Sequence, residues 1–249
     1  MSATEASFWE HLDELRICLL RCLLVVGLAG IAAFALKETL FDIVLAPRSS
    51  EFVTYRLLHS NAFSISLMNT ELTEQFFTHM KVALYAGLLL ASPYVVWQLF
   101  GFIAPALYDK ERHVALRVGG AAYAMFMVGV FVSYFIVFPL TLKFLATYQV
   151  SPDVRNMLTL QSYIDTLLML SLVMGIVFEL PVVCALLSRM NILHKGLMQH
   201  YRRHAIVAIL IAAAIITPSG DAFTLFVVAL PIYLLYEVSI LLVKKQRMT

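Results

Sequence analysis

Two charged stretches and one isolated carboxylate hold most of the chemistry this chain could perform. The first stretch is His11-Leu12-Asp13-Glu14-Leu15-Arg16, which runs directly into an apolar span. Asp13 and Glu14 follow Glu10 by three and four residues, so on a helix the three carboxylates share one broad face. Ionised carboxylates at the mouth of a membrane helix are ready acceptors for charge-assisted hydrogen bonds from cationic groups. The ordinary explanation is that acidic side chains complement the positive end of the helix dipole, and it accounts for Glu5 or Glu10 alone.

The second stretch is Phe102-Ile103-Ala104-Pro105-Ala106-Leu107-Tyr108-Asp109-Lys110-Glu111-Arg112, which mixes aromatic and apolar residues with the carboxylate of Glu111. By composition alone it reads as an interfacial aromatic belt with mixed loop charges. The isolated carboxylate is Glu179, inside the apolar run Gly175-Ile176-Val177-Phe178-Glu179-Leu180-Pro181. An ionised carboxylate facing lipid costs at least a few kcal/mol, so Glu179 must face protein, water or a partner. Its structural alternative is a hydrogen bond to a neighbouring helix or to backbone freed by Pro181.

No HExxH, GxSxG, GxxxxGK[ST] or GxGxxG occurs in the chain, so the sequence offers no zinc site, nucleophile elbow or nucleotide loop. No cofactor is expected. An intramembrane hydrolase would need a serine–histidine or paired-aspartate arrangement, and none stands out.

The elements that must position these residues follow from hydropathy. The chain has 249 residues, 61% hydrophobic and 14% charged, against about half and about a quarter for a soluble domain. With a net charge of only +2, nucleic acid is not an expected partner. A spanning helix needs about 20 apolar residues, and six spans are expected: 17–36, 82–103, 118–142, 163–187, 205–217 and 222–243. Residues 1–249 are read as a single six-span membrane domain. The first apolar run is too long for a typical leader and no A-x-A-like site follows it, so no cleavable signal is expected.

An even number of spans puts both termini on one side. Eleven of the 18 Lys and Arg fall on that side, six on the other, and Arg21 within the first span. The bias makes the termini cytoplasmic. Four prolines, Pro93, Pro139, Pro181 and Pro231, lie inside spans, and each frees the carbonyl four residues earlier: Leu89, Phe135, Val177 and Val227. The expected fold is therefore an all-α polytopic membrane protein whose proline-kinked helices form a concave wall. The first outer loop, 37–81, carries Phe52, Leu57, Leu58, Phe63, Ile65 and Leu67 among polar residues, as an interfacial helix would. The fifth span, at 1.5 Å per residue, covers only about 20 Å of a core about 30 Å thick. Cys18, Cys22 and Cys184 lie in or beside apolar spans, which argues against a disulfide framework.

Taken together, these residues resemble the TatC family, the multi-spanning subunit of the twin-arginine protein translocase. His11-Leu-Asp-Glu14-Leu-Arg16 is similar to that family's H-L-x-E-L-R signature. Residues 102–112 resemble its F-x-x-P-x-L-x-x-x-E-R loop. Phe178-Glu179-Leu180-Pro181 matches F-E-x-P in the fourth span, and Thr217-Pro218 with Asp221 matches the T-P…D turn between spans five and six. The four motifs occur in register along the whole chain.

The resemblance implies a receptor for signal peptides bearing two adjacent arginines, with Glu14 and Glu111 as the two acceptors. Guanidinium pairs with carboxylate in a bidentate fork that lysine lacks. It further implies that Phe102, Pro105 and Leu107 shape an apolar surround, that Arg16 holds the carboxylates, and that the signal's hydrophobic stretch lies past Glu179. Implied partners are twin-arginine signals of folded cargo, single-span A-type and B-type subunits docking near Thr217 and Asp221, and further copies in a larger inner-membrane complex. Export of folded proteins would draw on the proton-motive force, and the chain itself would not be an enzyme. Two positions depart from the family. Cys18 stands where a second basic residue is common, with Arg21 one turn on, and Leu225 stands where a glutamine often follows the hairpin aspartate. The competing reading is a proton-coupled small-molecule transporter using Glu179, which would make Glu14 and Glu111 dispensable.

Overall fold

The computed structural model describes residues 3–59, 65–103, 112–149, 151, 156–189, 192–217 and 220–243. Among these, eleven α-helices and one two-stranded pairing account for nearly all residues. Helix α1 (Ala3–Ala35) is followed by α2 (Lys37–Leu45), a 3-10 turn (Ala46–Arg48), α3 (Val53–Leu57) and strand β1 (Leu67–Met68). The chain continues through α4 (Glu74–Ile103), α5 (Arg112–Val132), a π-helical segment (Ser133–Val137), α6 (Phe138–Thr147) and strand β2 (Leu158–Thr159). It ends with α7 (Leu160–Val177), α8 (Leu180–Arg189), α9 (Lys195–His200), α10 (Arg202–Ile216) and α11 (Ala222–Leu242).

Five stretches are long and apolar enough to cross a bilayer: Leu12–Ala35, Glu74–Leu99, Val118–Thr147, Leu160–Arg189 and Ala222–Leu242. Helix α10, with 15 residues, is about 22 Å long; it covers the position of the expected fifth span and is shorter than these five stretches. The largest boundary difference is at the second span. It begins at Glu74 rather than at residue 82, because Glu74, Thr78 and His79 are buried against protein and the Glu74 carboxylate is satisfied there by hydrogen bonds.

By packing, the chain divides into two compact units, Met1–Phe41 with His79–Ala124 and Asp42–Thr78 with Met125–Thr249. In the first unit, α1 and α4 meet backbone to backbone. A Cβ on Gly87 would stand 2.4 Å from the amide nitrogen of Gly30 and 2.9 Å from the carbonyl of Val26, while Gly30 lies over Ala83 and Leu84. Only glycine allows that approach. Because higher α4 numbers meet lower α1 numbers, the two helices run antiparallel.

In the second unit the equivalent crossing is α5 on α7. A Cβ on Gly129 would lie 2.5 Å from the Met174 carbonyl oxygen and 2.9 Å from Cα of Gly175. Helix α11 packs against α6, α8, α9 and α10, through buried Val228, Ala229, Ile232, Leu235 and Ile240.

The prolines act unequally. Pro93 and Pro231 sit inside uninterrupted helices. Pro139 stands at the start of α6, directly after the π-helical turn. Pro181 accompanies an outright break between α7 and α8 at Phe178 and Glu179. Two of the freed carbonyls are taken up by hydroxyl donors: Ser92 Oγ donates to Leu89 at 2.6 Å, and Thr54 Oγ1 donates to Phe135. The loop expected over 37–81 contains helices α2 and α3; around α3, Val53, Leu57 and Leu58 are exposed and Phe52 and Tyr55 are buried, and Phe63 lies outside the described residues.

Candidate functional site

Glu14 and Arg16 lie on α1 and both are exposed. Two residues apart on one helix, they point to different faces. Glu14 stands one turn before Cys18, which is buried, so its carboxylate tops the face of α1 that packs on protein. The antiparallel crossing fixes what lies beside it in depth. Glu14 is sixteen residues before Gly30 and Phe102 fifteen residues after Gly87, each a helical rise of about 23 Å. The first charged motif and the opening residue of the second therefore reach the same level within one unit. Phe102 is half-buried at the end of α4. Pro105, Leu107 and Glu111 lie outside the described residues.

Glu179 occupies the break in the fourth span. The Phe178 amide still donates to Met174 at 2.9 Å, but the Glu179 amide turns to Ile176 at 3.1 Å, a tighter loop than the α-helical one. Its own carbonyl accepts from Val183 at 2.9 Å and so starts α8. Pro181, with no N–H, cannot bond Val177, which is why the break falls here. The side chain is half-buried, about 15 Å along the helix from Arg189, and its Oε2 is buried with no hydrogen-bond partner among the described residues. Glu237 Oε1 shares that status, and a buried acceptor left open can take up a further donor.

Thr217 and Asp221 have local work. Thr217 is the buried C-cap residue of α10, its hydroxyl 3.4 Å from the Ala214 carbonyl. Asp221 is the N-cap of α11, its Oδ1 accepting from the Thr224 amide at 2.7 Å. Gly220 between them adopts φ +59°, a left-handed conformation that glycine takes without strain. Pro218 and Ser219 lie outside the described residues. Thr217 and Asp221 thus cap the helices on either side of this segment, and Leu225, where the family often has glutamine, is half-buried on the first turn of α11.

A polar clamp that the sequence reading did not single out ties the loop segments of the second unit together. Glu74 is 3% exposed. Its Oε2 accepts from the amides of Thr70 at 2.8 Å and Glu71 at 3.2 Å and from the Thr70 hydroxyl at 3.2 Å, and its Oε1 accepts from the Gln161 amide at 2.8 Å. It thereby joins the start of α4 to the start of α7, next to the parallel pairing of Leu67 with Leu158 and Met68 with Thr159.

Three phenols complete the clamp. Tyr134 donates to Ile43 at 2.5 Å and Tyr163 to Val44 at 2.9 Å, meeting carbonyls in the last turn of α2 that have no helical donor. Tyr55 donates to Pro139 at 3.0 Å. Burial raises the Tyr55 phenol above its ordinary value, so it stays a neutral donor. The signal for Glu74 was a carboxylate just ahead of an apolar run, preceded by Thr70 and Glu71.

The family model for TatC, described as Sec-independent protein translocase protein, matches residues 10–231. A Deinococcus radiodurans protein named Sec-independent protein translocase protein TatC is 34% identical over 238 residues, covering 95% of this chain and 85% of the relative. The Bacillus subtilis protein named TatCy is 32% identical over 244 residues, covering 98% and 91%. Two crystal structures described as twin arginine translocase receptor TatC superpose with TM-scores of 0.77 and 0.79, each at 31% identity. The first covers 93% of this chain and 97% of that structure, the second, in DDM, 94% and 99%.

Proposed function

The chain belongs to the TatC family of Sec-independent protein translocase proteins, and from that membership we propose that it is the signal-binding receptor and core subunit of a twin-arginine translocase. Glu14 and Glu111 accept the two guanidinium groups of the signal, each in a bidentate fork. Phe102, Pro105 and Leu107 supply the apolar surround, and Arg16 contributes positive charge that keeps the acidic cluster from repelling itself. Glu179 offers the inserted signal an acceptor within the membrane. The observation that carries this reading is the level match: the Gly30–Gly87 crossing brings Glu14 and Phe102 to one depth, and Phe102 opens the segment that bears Glu111.

In this reading α10 also crosses the bilayer, the six spans act as one membrane domain of the inner membrane, and both termini are cytoplasmic. The chain is a binding and assembly subunit rather than an enzyme. Single-span A-type and B-type subunits dock near Thr217 and Asp221, further copies join the complex, and the proton-motive force drives export of folded cargo.

The test is binding of a twin-arginine signal peptide to the purified protein in detergent, beside its twin-lysine variant and the proteins Glu14→Ala and Glu111→Ala. Loss in all three supports the receptor and its acceptors. Equal binding of both peptides, indifferent to either substitution, would sink it. The orphaned Oε2 of Glu179 also suits a proton-coupled transporter. That reading requires Glu179→Gln to abolish transport while Glu14→Ala and Glu111→Ala leave it intact.

A further inference from the structure

The corner between α9 and α10 carries a cluster of basic side chains that the receptor reading does not use. His200, Tyr201, Arg202, Arg203 and His204 follow one another, and all are exposed. The Tyr201 ring meets His200 edge-on at 5.1 Å and His204 at 5.6 Å, so one aromatic side chain gathers both imidazoles. The corner is fastened to α11 at two points. Tyr236 donates to the Met198 carbonyl at 2.7 Å, and Arg202 pairs with Glu237 at 2.6 Å. Glu237 thus occupies Arg202 and leaves Arg203 as the guanidinium presented outward.

Below Arg203 the same helix face is apolar. Val207, Ile211 and Ile215 follow at intervals of four and are 56%, 57% and 75% exposed. Twelve residues from Arg203 to Ile215 rise about 18 Å, against about 15 Å for one leaflet's share of the hydrocarbon core.

We propose that this corner binds an anionic phospholipid, with Arg203, His200 and His204 holding the headgroup phosphate beside Tyr201 and the acyl chain lying along Val207, Ile211 and Ile215. Charge selects the partner: guanidinium and imidazole donors match a phosphodiester, whereas a zwitterionic lipid brings a compensating cation. The apolar track selects a lipid over a free anion. In the orientation proposed above the corner meets the cytoplasmic leaflet, the one rich in negative headgroups.

Native mass spectrometry of the full-length protein in detergent tests this, with palmitoyl-oleoyl phosphatidylglycerol, phosphatidylcholine of the same chains, and inorganic phosphate as probes. The expected result is retained phosphatidylglycerol, little phosphatidylcholine, and no displacement by phosphate. Arg203→Gln should lower retention about fivefold, the effect of one cation near an anionic headgroup. Glu237→Gln, which loosens Arg202 from its pair, should raise it. Thermal unfolding of each sample identifies a variant that has lost its fold. Unchanged retention in a folded Arg203→Gln protein, or equal retention of both lipids, would overturn the site. Displacement by phosphate would overturn the lipid in favour of a free anion.

Discussion

Glu74 and Glu179 are both carboxylates on the buried side of a helix start in the same unit, and they are treated oppositely. Glu74 uses both oxygens and accepts four hydrogen bonds, three of them from backbone amides. Glu179 has one oxygen buried with no partner. The first is saturated, so removing it strands donors that have nowhere else to turn. The second is unsaturated, so the fold gains little from it and a ligand or partner gains much. Hydrogen-bond saturation, more than burial, is where the two carboxylates differ, and substitution at each tests whether that difference separates a structural group from a functional one.

That contrast makes its largest prediction at Glu74. Glu74→Ala should give the greatest fall in thermal midpoint of any single carboxylate substitution outside the charged N-terminal motif. It should also expose segments 67–74 and 156–160 to protease, because the β1–β2 pairing loses its fastening. Glu74→Gln should fall between, since an amide can accept on one side only and meets a backbone N–H on the other. Thermal unfolding in detergent with limited proteolysis reads both, and a midpoint unchanged by Glu74→Ala would dissolve the comparison.

Next in size are the glycine crossings, which ask whether close packing or polar fastening holds each unit. Gly129→Ala places a Cβ 2.5 Å from a backbone oxygen, and Gly87→Ala one 2.4 Å from a backbone nitrogen. Backbone cannot swing aside, so each should destabilise by about 1–3 kcal/mol. Gly27→Ala, with nothing within 4 Å, is the matched control and should be neutral or slightly stabilising. Gly87→Ala should also weaken signal binding, since that crossing sets the depth of Glu14 against Phe102. Tyr55→Phe follows, at about 1 kcal/mol for one buried neutral hydrogen bond, readable as a shift in the same unfolding curve.

How much of this could be read beforehand depended on whether a residue's chemistry is visible in hydropathy. The spans were legible because lipid and core demand the same thing of a helix. The carbonyls freed by Pro93 and Pro139 were legible because proline's missing N–H is a covalent fact, and Leu89 and Phe135 do find hydroxyl donors. The donors themselves were not. Thr54 comes from a segment 81 residues away, and Tyr134 and Tyr163 counted as apolar while their hydroxyls cap α2. Glu74 was missed for a related reason: a window average ends a span at a carboxylate, whereas a carboxylate with four donors can begin one. Of the candidate residues, Glu14, Arg16 and Phe102 lie in the first unit and Glu179, Thr217 and Asp221 in the second. Thr217 and Asp221 prove to be helix caps. That Arg16 and Glu14 point apart followed from their spacing of two, which the motif itself obscures.

The smallest expected stability effect is at Glu179, and it is the most discriminating. Glu179→Gln keeps the shape, removes the ionisable group and replaces an orphaned oxygen with an amide. With no donor lost, the thermal midpoint should stay level or rise, the reverse of Glu74→Gln. Activity should move the other way. Under the receptor reading, twin-arginine peptide binding survives in detergent because Glu14 and Glu111 still supply the forks, while export of a folded cargo falls, since an inserted signal or partner helix loses an ionisable acceptor. A midpoint that drops as far as that of Glu74→Gln would mean Glu179 is a structural group after all. Unimpaired export with an unchanged midpoint would leave the carboxylate without a function, and an unpaired carboxylate with neither structural nor functional return is what the cost of burying charge in a bilayer argues against.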